Sequence, residues 1–233
     1  MNRQQFLLSI LAIPALAKLP IEIDIDILTG QIAPVLRFGL QKEPSKSFEA
    51  MKKEAAKAKI KLHITSGYRS YNKQIEIWNG KYDRYSSKGL KGISLIKKIT
   101  EFSAMPGTSR HHWGTDADIL DISVLQPKNP LEPSHYVSSK GIYNRLYEWM
   151  LHNSERFGFY EAYTDDPTRT GYEFEPWHYS YKTLAIRYLK DYNRNVKLSY
   201  IKLPQLKGKE LITEAFFSEY KRDYVNGLNP YLQ

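Results

Sequence analysis

The residues that could bind a metal ion are concentrated in two short stretches of this sequence. In the first stretch, His111 and Asp118 stand seven positions apart, and in the second, His178 follows Glu175 by three positions. Hydrolytic zinc sites commonly combine three protein ligands, an open position for water and a nearby glutamate that acts as base. We therefore predict that Zn2+ is bound by His111, Asp118 and His178. Glu175 is then the candidate catalytic base.

These residues come from separate parts of the chain, since His178 lies 60 positions after Asp118. The fold has to bring them together, so their spacing is less specific than a His-Glu-x-x-His motif on one helix. His112, which is adjacent to His111, and Asp121 are alternative ligands. A structural role for the same side chains, without any metal, is the alternative interpretation.

Apolar periodicity predicts which elements position these residues. Helices are expected over residues 70–80, 88–102, 138–157, 181–193 and 208–225, and a further one begins at Ser45. Strands are expected over residues 59–64, 117–124, 159–163 and 177–179, with a proline-rich loop over 125–136. Because helices and strands are intermixed without a regular βαβ series, we predict an α+β fold with a small, mainly antiparallel sheet and flanking helices.

The N-terminal part of the chain divides into two predicted segments. Residues 1–17 have a short basic start, an apolar run and an Ala15-Leu16-Ala17 end, which is typical of a secretory signal peptide. An uncleaved N-terminal helix is the alternative. Residues 18–44 are expected to form an N-terminal arm, in which alternating isoleucines from Ile21 to Ile27 favour a strand or extended segment. Residues 45–233 then form a single zinc peptidase domain that includes the C-terminal helices.

The apolar run near the N terminus also bears on location. It is too short to span a bilayer comfortably. We therefore expect an exported protein, periplasmic or cell-wall associated, with no stable membrane span after signal cleavage.

Composition limits the possible functions further. The 233 residues include no cysteine, so disulfides, thiolate ligands and a lipoprotein anchor are excluded. The formal net charge of +9 suits polyanionic surroundings such as a cell wall, although a soluble basic surface explains it equally well. No block of Lys and Arg is interleaved with aromatic residues, so nucleic acid is not an expected partner. We expect a monomer.

Three sequence blocks carry a resemblance to a known family. The signature blocks of VanY-type D-alanyl-D-alanine carboxypeptidases are similar to Ser66-Gly67-Tyr68-Arg69-Ser70, Ser109-x-His111-x-x-Gly114-x-x-x-Asp118 and Glu175-x-x-His178. Those enzymes belong to zinc peptidase family M15 and are related in fold to hedgehog signalling domains. The resemblance covers roughly residues 45–185 and implies a hedgehog/DD-peptidase-like fold.

The resemblance also implies roles for individual residues. It selects His111 over His112 as the metal ligand. Arg69 is implied as a catalytic and substrate-binding residue that polarises the scissile carbonyl or holds the terminal carboxylate, and Ser109 as a substrate-binding residue. We add Gln74 to the predicted substrate-binding residues. Its alternative role is to support the Arg69 side chain.

The function implied by the resemblance is a zinc-dependent carboxypeptidase that hydrolyses the terminal D-alanine from peptidoglycan stem peptides. An L,D-carboxypeptidase and a cell-wall endopeptidase are alternatives with the same zinc chemistry. A non-catalytic wall-binding module and, on weaker grounds, a nuclease are alternatives of another class.

One position departs from the family pattern, because Asp116 stands where the usual block has alanine. On a strand, Asp116 and Asp118 would share a face. Asp116 could therefore orient a metal ligand or alter the substrate preference.

Overall fold

The computed structural model describes residues 22–233, so the predicted signal peptide of residues 1–17 lies outside the described residues. The helices of residues 22–233 are α1 (Ile25–Leu28), α2 (Lys42–Lys57), α3 (Tyr71–Ser86), α4 (Gly92–Thr100), α5 (Pro133–Val137), α6 (Asn144–Asn153), α7 (Lys182–Asn195) and α8 (Glu214–Tyr220). The strands are β1 (Leu36–Arg37), β2 (Leu40–Gln41), β3 (Leu62–Ser66), β4 (Asp116–Asp121), β5 (Phe159–Glu161) and β6 (His178–Tyr181). No helix in this part of the chain combines the length and apolar character needed to cross a bilayer.

The main sheet has four antiparallel strands in the order β3-β4-β6-β5, and β1 and β2 form a separate two-stranded hairpin. Helices flank this small sheet, so the predicted α+β architecture is confirmed. Strand β4 lies between β3 and β6 and is buried along its whole length. Because successive side chains of a strand point to opposite faces, β4 can contribute to the core on one face and to a site on the other.

Two hydrophobic clusters form the core of the described residues. One contains Ala117 and Ile119 of β4 together with Phe48 of α2 and Met150 of α6. The other contains the apolar faces of α3, α4 and α7 and the segment that follows α7. The carboxylates Asp116 and Asp118 alternate along β4 with the apolar residues of the first cluster.

The expected strand over Ile21–Ile27 is wrong in its described part, because Ile25–Leu28 forms a short helix. The Asp24 side chain accepts a hydrogen bond from the Asp26 backbone N–H and caps this turn. Leu28 is fully buried in the core. A four-residue helix has about one turn, which is too short to show a helical period in the sequence. The alternation of isoleucines therefore does not distinguish this helix from a strand.

Further boundaries differ from the predictions, among them the start of the helix expected over 138–157, which begins at Asn144. The helix expected to end at Gly80 continues to Ser86, because Tyr82 and Tyr85 beyond the glycine pack against the core and outweigh the roughly 1 kcal/mol penalty of a helical glycine. The predicted loop over 125–136 gives way to α5 at Pro133, which fits the first turn of a helix. The predicted helix over 208–225 begins only at Glu214 and continues as a π-helical segment, Lys221–Val225.

The C-terminal helix α8 is joined to the loop before the metal-binding stretch by Tyr220. Its hydroxyl oxygen accepts a hydrogen bond from the Met105 backbone N–H at 2.9 Å and lies 2.6 Å from the Tyr172 hydroxyl. Thr108 Oγ1 lies 3.4 Å from the same oxygen. Tyr220 therefore connects three segments that are distant in sequence.

Replacing Tyr220 with phenylalanine is expected to lower the free energy of unfolding by about 1–3 kcal/mol, because it leaves the buried Met105 N–H without an acceptor. Thermal unfolding followed by circular dichroism measures this loss. Tyr231→Phe is the matched control, since Tyr231 is 62% exposed and loses the same atom. Equal melting temperatures for the two variants would contradict the role of the Tyr220 hydroxyl.

Candidate metal centre and active-site cavity

Three neighbouring strands place one row of polar residues across the sheet. In the register of the sheet, Asp118 of β4 is the partner of Ser66 of β3 on one side and of His178 of β6 on the other. Directly opposed residues on adjacent strands have side chains within contact distance. The sheet itself thus brings Asp118 and His178 together, although they are 60 positions apart in sequence.

His111 reaches the same place from a 3-10 turn, Arg110–Trp113, that ends at Gly114 with φ of 63°. Its Nδ1 lies 2.8 Å from the backbone oxygen of Gly67, so Nδ1 carries the proton that is donated and Nε2 is left as the metal-binding atom. Gly67 cannot be replaced without strain, because an added Cβ would lie 2.6 Å from the backbone oxygen of Gly39.

The three predicted ligands converge. One potential ligand atom from each of His111, Asp118 and His178 lies within 4.8 Å of the others. His111 Nε2 is 3.5 Å from one Asp118 oxygen, and His178 Nδ1 is 3.4 Å from the other. The donor set of two imidazole nitrogens and a carboxylate fits zinc. In addition, Asp118 Oδ1 is buried without a hydrogen-bond partner, as expected of an oxygen that is available to a cation.

The electrostatic environment of this cluster favours a cation. Burial lowers the pKa of His111 and keeps the imidazole neutral, the form that binds metal. Burial opposes ionisation of Asp118, but the neighbouring His111 and His178 hold its pKa below the usual range. Burial likewise opposes protonation of His178, but hydrogen bonds to Asp116 and Glu175 raise its pKa to about 10. The carboxylates around His178 thus favour a positive charge at this position.

Asp116 lies on the far side of His178. Its Oδ1 is 3.1 Å from His178 Nε2, so this carboxylate fixes the ring with Nδ1 directed at Asp118 and Glu175. Arg110 Nε donates to the same Asp116 oxygen at 2.9 Å, and both side chains are buried. Asp116 therefore contacts both a candidate metal ligand and a buried cation.

Glu175 lies beside His178 on the side opposite Asp116. Its Oε2 is 3.2 Å from His178 Nδ1. A backbone hydrogen bond from His178 N to Glu175 O closes the turn between the two residues, and Glu175 N donates to Tyr163 O. The carboxylate is thus fixed next to the metal cluster, where a general base has to lie.

Arg69 approaches the cluster from the loop after β3. Its guanidinium donates to Ser66 Oγ at 2.9 Å and to Gln74 Oε1 at 3.0 Å, and it lies 3.8 Å from Asp118 Oδ2. The Gln74 amide nitrogen in turn donates to Ala104 O at 2.7 Å. The oxygen and the nitrogen of the Gln74 side-chain amide both form hydrogen bonds within the protein, and the residue is fully buried. Gln74 therefore orients Arg69.

These side chains line one cavity of about 290 Å3. Its walls include the predicted residues Arg69, Ser109, His111, Asp118, Glu175 and His178. Lys81, Tyr163 and Tyr172 are among the lining residues that sequence reasoning missed. Lys81 could have been found from the sequence, because it lies seven residues after Gln74 on α3. Seven residues are two helical turns, so the two side chains lie on the same face.

The alternative ligands lie outside the cluster. His112 Nδ1 donates to the backbone oxygen of Arg69, and Nε2 accepts from the Gly107 N–H. Burial lowers the pKa of His112 to about 3, so the ring is neutral and both nitrogens are engaged. Asp121 accepts hydrogen bonds from the backbone N–H groups of Lys61 and Ser123.

Known proteins are similar to this chain in sequence and in fold. A D-alanyl-D-alanine carboxypeptidase of Enterococcus faecalis is 36% identical over 119 residues, which are 51% of this chain and 39% of that protein. The solved structure of VanYB in complex with D-alanine-D-alanine is 30% identical with a TM-score of 0.51, covering 69% of this chain and 80% of that chain. A mutant of the D,D-pentapeptidase VanY from the VanB-type resistance cassette was solved in complex with Zn(II). It is 28% identical with a TM-score of 0.50, and the match covers 70% of this chain and 84% of that chain.

The chain spans well under half the length of the curated relative from E. faecalis. The family match is broader, because residues 37–184, more than half of the chain, match the VanY family, described as D-alanyl-D-alanine carboxypeptidase. This segment contains all three candidate ligands, the candidate base and Arg69. The chain therefore belongs to the VanY family of D-alanyl-D-alanine carboxypeptidases.

Proposed function

We propose that this protein is a zinc-dependent carboxypeptidase that removes the terminal D-alanine from peptidoglycan stem peptides. The observation that carries the proposal is the position of Glu175, 3.2 Å from His178 and in the same cavity as Arg69. A purely structural zinc site needs neither a base nor an arginine in an open cavity. This argues against the alternative of a non-catalytic wall-binding module.

The residues that would hold zinc are His111 through Nε2, Asp118 through its carboxylate and His178 through Nδ1. When bound, zinc supplies Lewis-acid polarisation and lowers the pKa of water. Asp116 contributes indirectly, because its bond to His178 Nε2 holds that ring in the required orientation.

The chain's own side chains provide the proton transfer and the substrate contacts. Glu175 takes a proton from the attacking water and returns it to the amine of the departing D-alanine. Arg69, oriented by Gln74 and Ser66, polarises the scissile carbonyl or holds the terminal carboxylate. Ser109, which is buried in the cavity wall, contacts the substrate near the ligands.

The relatives support the D,D specificity over the L,D and endopeptidase alternatives. The E. faecalis relative is named a D-alanyl-D-alanine carboxypeptidase, and the VanYB structure contains D-alanine-D-alanine. A substrate in the cell wall also fits the predicted signal peptide, so we propose export of the mature protein to the periplasm or cell wall. We propose that it acts as a monomer, since all candidate site residues come from one chain.

Mass spectrometry of stem peptides incubated with the zinc-loaded protein tests this function. We expect loss of one alanine from the pentapeptide and none after addition of a chelator. Loss from the tetrapeptide alone would move the assignment to L,D-cleavage, and cleavage of crosslinked dimers alone would favour an endopeptidase. Zinc binding without any cleavage would contradict the enzyme proposal.

A further inference from the structure

Lys81 is a cation in the active-site cavity that the proposed mechanism does not use. It lies seven residues after Gln74 on α3, which is two helical turns, and therefore on the same face of the helix. The side chain is half-buried and lines the cavity together with Arg69 and Glu175. Its Nζ donates one hydrogen bond, to the backbone oxygen of Phe102 at 3.3 Å. An ammonium group has three donors, so two remain available.

Lys81 also lacks an acidic partner among residues 22–233. Three other lysines, by contrast, are paired, as the Nζ–carboxylate distances show: 2.8 Å for Lys73–Glu76, 2.6 Å for Lys98–Glu101 and 2.6 Å for Lys207–Asp83. No described carboxylate forms an ion pair with Lys81 within 4.0 Å. A half-buried cation without a partner is costly, unless a ligand brings the missing negative charge.

Arg69 and Lys81 are placed for different groups of the substrate. Arg69 is held by Ser66 and Gln74 and lies 3.8 Å from the metal ligand Asp118, beside the reaction centre. Lys81 is held at the Phe102 side of the cavity, where no metal ligand contacts it. The departing D-alanine has a single carboxylate. When Arg69 holds that group, a carboxylate for Lys81 has to come from a residue upstream of the scissile bond.

We propose that Lys81 binds a free carboxylate on the peptide stem, upstream of the scissile bond, and selects stems that carry one. The proposal rests on the proposed function, because it names the substrate class of the same cavity. Two sources share this chemistry in stem peptides: the α-carboxylate of γ-linked D-glutamate and the side-chain carboxylate of diaminopimelate at the third position. Amidation removes the first, and lysine at the third position lacks the second.

The test compares four synthetic pentapeptide stems, with D-glutamate free or amidated and with diaminopimelate or lysine as third residue. For Lys81→Gln we expect KM to rise about tenfold or more on stems that carry the recognised carboxylate, with kcat unchanged. The stem without either carboxylate is expected to show no change. The stem series identifies which of the two carboxylates is recognised.

Lys73→Gln is the matched control, because Lys73 lies on the same helix, is exposed and loses the same charge. We expect its kinetics to equal those of the wild type on all four stems. An equal loss for Lys81→Gln on every stem would assign Lys81 to the terminal carboxylate or to the fold and overturn the proposal. Unchanged KM on every stem would also overturn it.

The pH dependence of this selection gives a second readout. Burial lowers the pKa of Lys81 to about 8. The neighbouring cations Arg69 and Arg84 also lower this pKa, whereas the carboxylates of Glu175 and Glu101 raise it. Lys81 is therefore charged at pH 7 and loses its charge as the pH rises through its pKa. We expect the KM of the stem without the recognised carboxylate, divided by the KM of the stem with it, to fall between pH 7 and 9 in the wild type but not in Lys81→Arg. The same fall in Lys81→Arg would contradict the proposal.

Failure of the proposed function is distinguishable from failure of this inference. Binding of the same four stems to Glu175→Gln, measured by calorimetry with and without Lys81→Gln, does not require hydrolysis. If the wild type cleaves no stem but Glu175→Gln binds carboxylated stems more weakly after Lys81→Gln, the function is wrong and the Lys81 proposal stands. Binding that is insensitive to Lys81 on all stems would overturn the inference.

Discussion

Replacing Glu175 with glutamine is expected to lower kcat for pentapeptide hydrolysis by at least about a hundredfold while zinc remains bound. The reason is geometric, because Glu175 lies beside the ligand His178 but is not needed among the three ligands. Glutamine keeps the shape of the side chain and removes its capacity to accept a proton. Kinetics on the pentapeptide and zinc content by mass spectrometry measure the two effects separately.

The control for this variant is Glu173→Gln, two positions earlier in the same segment. Glu173 is exposed and does not line the cavity, so we expect wild-type activity. Substantial hydrolysis by Glu175→Gln with zinc bound would show that another group acts as base. Loss of zinc from Glu175→Gln would instead place Glu175 among the groups that hold the metal.

Replacing Asp116 with alanine is expected to destabilise this protein. Asp116 is fully buried and neutralises Arg110, which is 2% exposed. Removing one partner of a buried ion pair costs about 3–5 kcal/mol, which corresponds to a fall in melting temperature of roughly 10 °C. Zinc affinity is expected to fall about 10- to 100-fold as well, because His178 loses the partner that orients its ring.

A second variant separates these two effects. Arg110→Met combined with Asp116→Ala removes both charges, and we expect it to regain most of the lost stability. Zinc affinity, measured by competition with a chromophoric chelator, is expected to remain about 10- to 100-fold weaker than in the wild type. Wild-type zinc affinity in the double variant would show that Asp116 does not position His178. An unchanged melting temperature for Asp116→Ala would contradict the buried pair.

Residue types and order were sufficient to predict which three side chains would converge into a cluster that could hold a metal ion. His111, Asp118 and His178 each offer a metal-binding atom, and three ordered blocks identified them among other candidates. Strand alternation also predicted correctly that Asp116 and Asp118 would lie on one face, where both contact His178.

Contacts between distant segments could not be predicted in the same way. The ion pair between Arg110 and Asp116 depends on the 3-10 turn Arg110–Trp113, which ends at Gly114 just before β4. Tyr220 and Met105 are 115 positions apart and become neighbours only in the folded core. Neither contact can be recognised from the sequence around either residue. The periodicity of apolar residues indicates which face of a helix or strand is buried, but it does not indicate which other segment covers that face.

The C-terminal segment also determines where this protein can be shortened. The family match ends at residue 184, but the core around Trp78 includes Leu189, Tyr192, Phe217 and Tyr220 from beyond that point. The Trp78 indole N–H itself donates to the backbone oxygen of Lys207. A fragment cut at the family boundary would expose the apolar side of α3 and α4 and tend to aggregate. Recombinant fragments for crystallography should therefore retain the whole segment from α7 onward.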